Sequence, residues 1–224
     1  MFMRIGIDAR FYGSHAKGIG RYVSELVHHL EDIDTDNDYV VFLGKEGFDT
    51  FEPHNPRFTK VLADIPWYGI LEQLLMPRLL DAHDLDLVHF PHFNVPLLYR
   101  KPFVLTIHDL ILLKFPTTRA TTLGPLKFKI KFLLYKAVIQ NALRRAKVVL
   151  AVSQYTADDI VSSFPFMRDR PPVVTRLAPG TALARSSDLD LPRLPDRYAM
   201  YVGNAYPHKN LDMLIRAFAI SARR

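Results

Sequence analysis

Short apolar runs bounded by Gly, Pro or Asp alternate along the chain with longer segments whose apolar positions recur at helical spacing. The runs predict strands at Met3–Asp8, Tyr39–Leu43, Thr59–Leu62, Leu87–Phe90, Phe103–Thr106, Val148–Val152, Val173–Arg176 and Ala199–Val202. Between them lie helical patterns. In the first, Tyr22, Val23, Leu26, Val27 and Leu30 share one face. Such alternation predicts an α/β fold, a Rossmann-like and mostly parallel sheet with helices on both faces. Ligands of such sheets sit in the crevice at the carboxyl ends of the strands. Four predicted strand ends carry candidate chemistry: Gly18 and Gly20 after the first, Pro91–Asn94, His108–Asp109, and Ser153.

The pattern changes near residue 180. Residues 181–197 are polar and proline-bearing without periodicity and read as a linker, which leaves 1–180 as an N-terminal domain. Residues 198–224 repeat the opening design of strand, glycine loop and amphipathic helix. One βα unit cannot bury its own apolar face, so this stretch is expected to be the truncated start of a second domain.

Composition narrows the chemistry. The 224 residues include no cysteine, which excludes disulfides, thiolate metal sites and thiol nucleophiles and suits a reducing cytoplasm. Arg4, Asp8 and Arg10 break any signal-peptide pattern at the N-terminus, and no apolar run reaches the ~18–20 residues that span a bilayer. The expected location is cytoplasmic. A formal charge of +6 suits an anionic partner, whether nucleotide, phospholipid surface or nucleic acid, and equally an ordinary basic surface.

The opening loop fits neither familiar phosphate-loop pattern. Gly13 and Gly18 have Walker A spacing, but Ile19 and Gly20 replace the Lys and Ser/Thr; Gly18 and Gly20 begin a dinucleotide turn whose third position is Val23. His108 and Asp109 follow an apolar strand, either as a closing polar turn or as a ligand-facing pair. His89 and His92 have H-x-x-H spacing, but Pro91 between them disfavours a helix and no third ligand is evident, so no metal is expected. The pairs Asp34/Asp36, Asp84/Asp86 and Asp188/Asp190 read as turn and capping residues. Ser153 reads as the N-cap of a helix.

Leu126–Val149 mixes seven Lys/Arg with long aliphatics, the pattern of a sheet-covering helix with a lysine-rich outer face or of a surface that touches anionic lipid. No compact nucleic-acid motif occurs. In "YVGNAYPHKNL", Gly203 allows close backbone approach to a ligand. Lys209, with His208 beside it, stands near a helix N-terminus suited to a diphosphate.

Taken together, "IGIDAR", "KGIGRY", "EQLLMP", "DLVHFPHFNVP", "TIHDL", "AVSQYTADDI", "VTRLAPG" and "YVGNAYPHKNL" occur in an order that resembles the retaining nucleotide-sugar glycosyltransferases of family 4, with their two-domain GT-B fold. The resemblance implies that Gly18 and Gly20 form the N-domain glycine loop near donor phosphates and acceptor, and that His108, with Asp109, lies at the reacting sugar. It also implies that Gly203, Asn204, His208 and Lys209 meet the donor diphosphate, and that Arg21, His92, Asn94 and Ser153 lie on the acceptor side. Expected chemistry is transfer of a sugar, with GDP-mannose as first choice of donor, to a polysaccharide or lipid-linked acceptor. The anomeric configuration is retained, no metal or other cofactor is needed, and peripheral contact with the inner membrane face is allowed for. Two departures stand out: Asn204 where many relatives have Arg, and His208 where the "PRKN" form has Arg. The family's E-x7-E pair falls beyond Arg224, so the chain alone is expected to have little activity until a C-terminal half is supplied in cis or in trans. The alternatives are a non-catalytic or split-enzyme binding module and a GT-B sugar-nucleotide epimerase; a Rossmann oxidoreductase lacks its acid where Leu43 and Gly44 stand.

Overall fold

The computed structural model describes residues 2–13, 17–116, 125–178 and 198–221. The predicted linker at 181–197, including Asp188 and Asp190, lies outside the described residues. The chain divides into two compact units, one of residues 1–110 with 133–178 and one of 111–132 with 179–224.

The first unit is built on a seven-stranded sheet in which each neighbouring pair is parallel. Its strands are β1 (Arg4–Ala9), β2 (Asp38–Leu43), β3 (Phe58–Leu62), β4 (Leu87–Phe90), β5 (Phe103–Ile107), β6 (Val148–Ala151) and β7 (Val173–Val174). They lie in the order β3-β2-β1-β4-β5-β6-β7. Helices α1 (Lys17–Ile33), α2 (Lys45–Thr50), α3 (Ile70–Asp81) and, after β6, Gln154–Ser163 connect the strands. The α/β, Rossmann-like class expected from the alternation is therefore correct.

Strand β2 reads as an unbroken apolar run because both of its faces are covered. Val41, Phe42 and Leu43 of β2 are fully buried, as are Ile7 of β1 and Leu105 of β5. One stripe of α1 closes a face of the sheet: Val23 and Val27 are fully buried against Ile7, Val41 and Phe51. Glu31, at the far end of α1, accepts the backbone N–H groups of His54 and Asn55 and so ties the helix to the turn before β3.

Two elements differ from expectation. Ala199–Val202 forms no strand, and Met200 and Val202 are 78% and 83% exposed. A strand is stabilised by ladder bonds to a neighbour, and no described strand pairs with this segment. Gly18 and Gly20 lie inside the first turn of α1 instead of in a loop. The glycine the loop requires is Gly13, whose φ of +109° disfavours any other residue.

In the second unit, the described elements are α4 (Ile111–Lys114), the opening of α5 (Pro125–Arg145), a 3₁₀ turn at Pro207–Lys209 and, after α6 (Gln154–Ser163) in chain order, α7 (Leu211–Ser221). Residues of α5 from 133 onward belong to the first unit, where Tyr135, Ile139, Ala142 and Leu143 form a buried stripe. The sheet-covering reading of this segment holds for that half. Leu133 and Leu134 remain exposed.

Candidate active site

Chain winding places a crevice before any side chain is considered. From β1 the chain moves outward through β2 to β3, then crosses back so that β4 pairs with the other side of β1. The loops leaving β1 and β4 therefore diverge, and the crevice opens at their carboxyl ends.

The floor of that crevice is a buried ionic cluster. Arg10, directly after β1, is gripped by both carboxylate oxygens of Asp8, its Nε and Nη2 donating at 2.7 Å each. Nη2 also donates to Glu72 of α3 at 2.6 Å, and Nη1 to the Ile65 carbonyl at 3.2 Å. Glu72 is completely buried and accepts from the Asn94 amide at 2.7 Å and from the Tyr68 N–H at 2.8 Å. Burial works against the charge on Arg10, but the two carboxylates outweigh it and raise its pKa. One cation thus joins the end of β1, the start of α3 and the turn after β4. Buried charges persist only with such complete pairing.

Above the cluster stands an aromatic wall. Trp67 stacks on Phe11 with centroids 4.4 Å apart, Phe11 meets His92 at 5.2 Å, and His92 meets Phe93 at 4.1 Å. Phe93 packs edge-on against Tyr135 at 4.9 Å. The Tyr68 hydroxyl lies 3.5 Å from His92 Nδ1, at the limit of a hydrogen bond.

His108 follows β5 and is half-buried. Its Nε2 donates to the Pro91 carbonyl at 2.9 Å, because a carbonyl can only accept. Burial lowers its pKa, partly offset by the Pro91 bond and by the charge of Asp109. The ring is therefore neutral at physiological pH and presents Nδ1 as an acceptor. Tyr22 of α1 lies edge-on to it at 4.8 Å and shares the Thr106 hydroxyl, at 3.2 Å, with His89, at 2.8 Å. From the other side Thr156 donates to the His108 carbonyl at 3.1 Å, while Thr156 N–H is held by the Ser153 side chain at 3.1 Å. Ser153 is thus the N-cap of α6 and, through Thr156, braces His108.

The residues singled out from sequence fall into four groups. His92, His108 and Ser153 share the sheet rim, where the Pro91 carbonyl links the His92 turn to His108. Asn94 is buried, and its amide nitrogen holds Glu72, so it fixes the His92 turn from below. Arg21 is exposed and lies 4.0 Å from Glu25 on the surface of α1, and Asp109 is exposed beside His108. In the second unit Gly203 has φ +152°, and the carbonyl of Asn204 accepts from the Tyr201 hydroxyl at 2.7 Å. Lys209 is exposed at the end of the 3₁₀ turn, with Asn210 left-handed at φ +51° before α7. Asp34 closes its own turn by accepting from Asp36 and Asn37, as a capping aspartate does, and Asp86 accepts the Arg4 N–H.

Sequence reading assigned no chemistry to Asp8, Arg10, Phe11, Tyr22, Trp67, Tyr68, Glu72 or Thr106. A signal existed for Glu72, a lone acid among aliphatics in "ILEQLLMP", and for Arg10, a charge directly after an apolar strand. Their pairing spans 62 positions and leaves no local periodicity.

The buried histidines make an acid-sensitive rim. Burial, reinforced by the nearby His108, lowers His89 from 6.5 to about 4; the same causes take His92 to about 3. A histidine with a depressed folded pKa contributes stability that is present above the unfolded value and is lost as pH falls toward the folded one. His89 alone should account for a slope of about 1.4 kcal/mol per pH unit between pH ~6.5 and ~4. Urea unfolding at several pH values, compared with His89→Gln, tests this. The variant should flatten the slope, and an unchanged slope would mean that His89 does not carry it.

Comparison with known proteins agrees with this geometry. The profile of Glycosyltransferase Family 4 matches residues 16–176, well over half of the chain. The chain is 27% identical over 232 aligned positions to an O-antigen chain mannosyltransferase B of Escherichia coli, covering 91% of this chain and 56% of that protein. It therefore spans a little over half the length of that curated relative. By its sheet, its rim and this match, the chain belongs to glycosyltransferase family 4.

Proposed function

We propose that the protein takes part in moving a sugar, mannose in the first instance, from a nucleotide diphosphate to a hydroxyl of a polysaccharide or lipid-linked glycan, with retained configuration. Family membership supports a glycosyltransferase, and the E. coli relative bears the name of a mannosyltransferase. The observation that carries the reading is the meeting of Tyr22 of α1, the Pro91–His92 turn after β4 and His108 after β5 at the carboxyl ends of the strands. Among the described residues, and apart from its chain neighbours and its own helix backbone, a side chain at Gly18 would meet no atom within 4 Å. Its smallness serves whatever approaches the positive end of α1 from outside.

His108 Nδ1 would accept a sugar hydroxyl, while Lys209 and the helix N-termini would stabilise a departing diphosphate without a metal. Burial lowers the His108 pKa, and the Pro91 bond and the charge of Asp109 partly offset it. Donor binding would rest on Gly20, Gly203, Asn204, His208 and Lys209 as well as Gly18, and acceptor contacts would extend toward Arg21. A transferable GDP-mannose and an oligomannoside acceptor are the reactants to try first. Exposed Leu133 and Leu134 beside lysines of α5 suit a glancing contact with an anionic membrane surface. No helix among the described residues is long and apolar enough to cross a membrane.

The test of the donor half is Lys209→Ala. Loss of one charge-assisted contact should weaken GDP binding by about ten- to a hundredfold, measured calorimetrically in a form that carries a complete donor domain. Unaltered GDP affinity would remove Lys209 from the diphosphate site.

A further inference from the structure

A cavity of about 260 Å³ lies beside the crevice, at the carboxyl ends of β1, β2 and β3. Phe11 and Trp67 form one wall, Gly44 and Gly47 bring backbone to its base, and Lys45 and Asp64 stand exposed at its mouth. Trp67 is stacked on Phe11 with planes 9° apart, yet 41% of it remains exposed. A flat aromatic surface next to side chains that can bond paired hydroxyls is the chemistry that recognises a sugar ring.

The wall is held in place before any ligand arrives. Arg10 Nη1 donates to the Ile65 carbonyl at 3.2 Å, and Glu72 accepts the Tyr68 N–H at 2.8 Å. The strap carrying Trp67 is thus clamped on both sides by the buried ionic cluster. From Trp67 a line of rings leads through Phe11 to His92, 5.2 Å further on, and the residue before His92 is bonded to His108. The cavity and the reacting imidazole occupy two stations on one rim.

We propose that this cavity is a saccharide subsite that holds an inner sugar unit of an oligosaccharide acceptor while the hydroxyl to be glycosylated lies at His108. The inference rests on the glycosyltransferase reading for the identity of the acceptor. It predicts that an acceptor of two or more units binds better than a single sugar, because only the longer one spans both stations.

Trp67 is the only tryptophan in the chain, so its fluorescence reports on the site directly. Mannotriose should change that emission at millimolar concentration and give saturation-transfer NMR signals from more than one ring; methyl mannoside should bind about tenfold more weakly. Trp67→Ala should abolish the signals of the inner ring, Trp67→Phe should keep part of them, and Asp64→Asn should weaken binding several-fold. Thermal melting of each variant guards against loss of fold, and the two conservative variants carry the test if alanine is not tolerated. In a transfer-competent form, Trp67→Ala should raise KM for mannotriose about tenfold with kcat little changed.

The two readings fail separately. Transfer that is intact and has an unchanged KM in Trp67→Ala overturns the subsite alone. Mannotriose binding that depends on Trp67, without transfer under any condition, overturns the transferase reading alone. No mannotriose response from the intact chain, or a Trp67 response to GMP in its place, overturns the subsite.

Discussion

Replacing His108 with alanine is expected to lower sugar transfer by about 10²- to 10³-fold while leaving the protein folded. The residue is held at three points, by the Pro91 carbonyl at Nε2, by the Tyr22 ring set perpendicular to the imidazole, and by Thr156 at its backbone carbonyl. Its remaining nitrogen is the only one able to meet a substrate. Because that contact strengthens as charge develops, the loss should fall on kcat more than on KM. His108→Gln separates position from chemistry: its amide can replace the bond to Pro91 but offers no basic nitrogen. It should fail almost as badly as alanine. A glutamine variant with near-normal transfer would reduce His108 to a strut for the Pro91 turn.

The largest effect on stability is expected from Glu72→Ala, at about 3–5 kcal/mol, a large share of the ~5–15 kcal/mol that holds a typical domain together. The substitution removes the acceptor for three donors at once, from Arg10, Asn94 and the Tyr68 N–H, in a place with no solvent access. Arg10 retains Asp8, so the cluster keeps one pair, but the strap at Tyr68 and the turn at Asn94 lose their common anchor. Glu72→Gln should cost less, since it keeps one oxygen and the volume. Urea unfolding gives the free energies. The Trp67 emission provides a local readout, because Trp67 adjoins the anchored Tyr68: it should shift in Glu72→Ala before the global transition begins. A loss below about 1 kcal/mol would place the cluster among ordinary surface pairs.

Much of this architecture is written in local pattern. The core of β2, Tyr39–Leu43, is an unbroken apolar run buried on both faces, and β4 and β5 are each interrupted by a single polar residue, His89 and Thr106. His108 was legible for the same reason, as a titratable residue at the point where an apolar run stops. Ala199–Val202 had the composition of a strand without a neighbour to pair with, and pairing is not a property of the segment. Asn94 looked like a rim residue because loops are usually exposed; its burial follows from Glu72, which lies 22 positions earlier. Trp67 sits in a stretch without periodicity, and only the stacking on Phe11 reveals it as a wall. Residues placed by local spacing were readable, and those placed by long-range ionic or ring contacts were not.

The most direct test is to join the chain, in cis or in trans, to a complete donor domain, supply GDP-mannose and an oligomannoside, and follow both nucleotide and glycan by NMR. Glycan extension with retained anomeric configuration, cut about 10²- to 10³-fold by His108→Ala, is the expected result. Extension that proceeds equally well in His108→Ala would contradict the placement of the reaction at the β1–β4 rim.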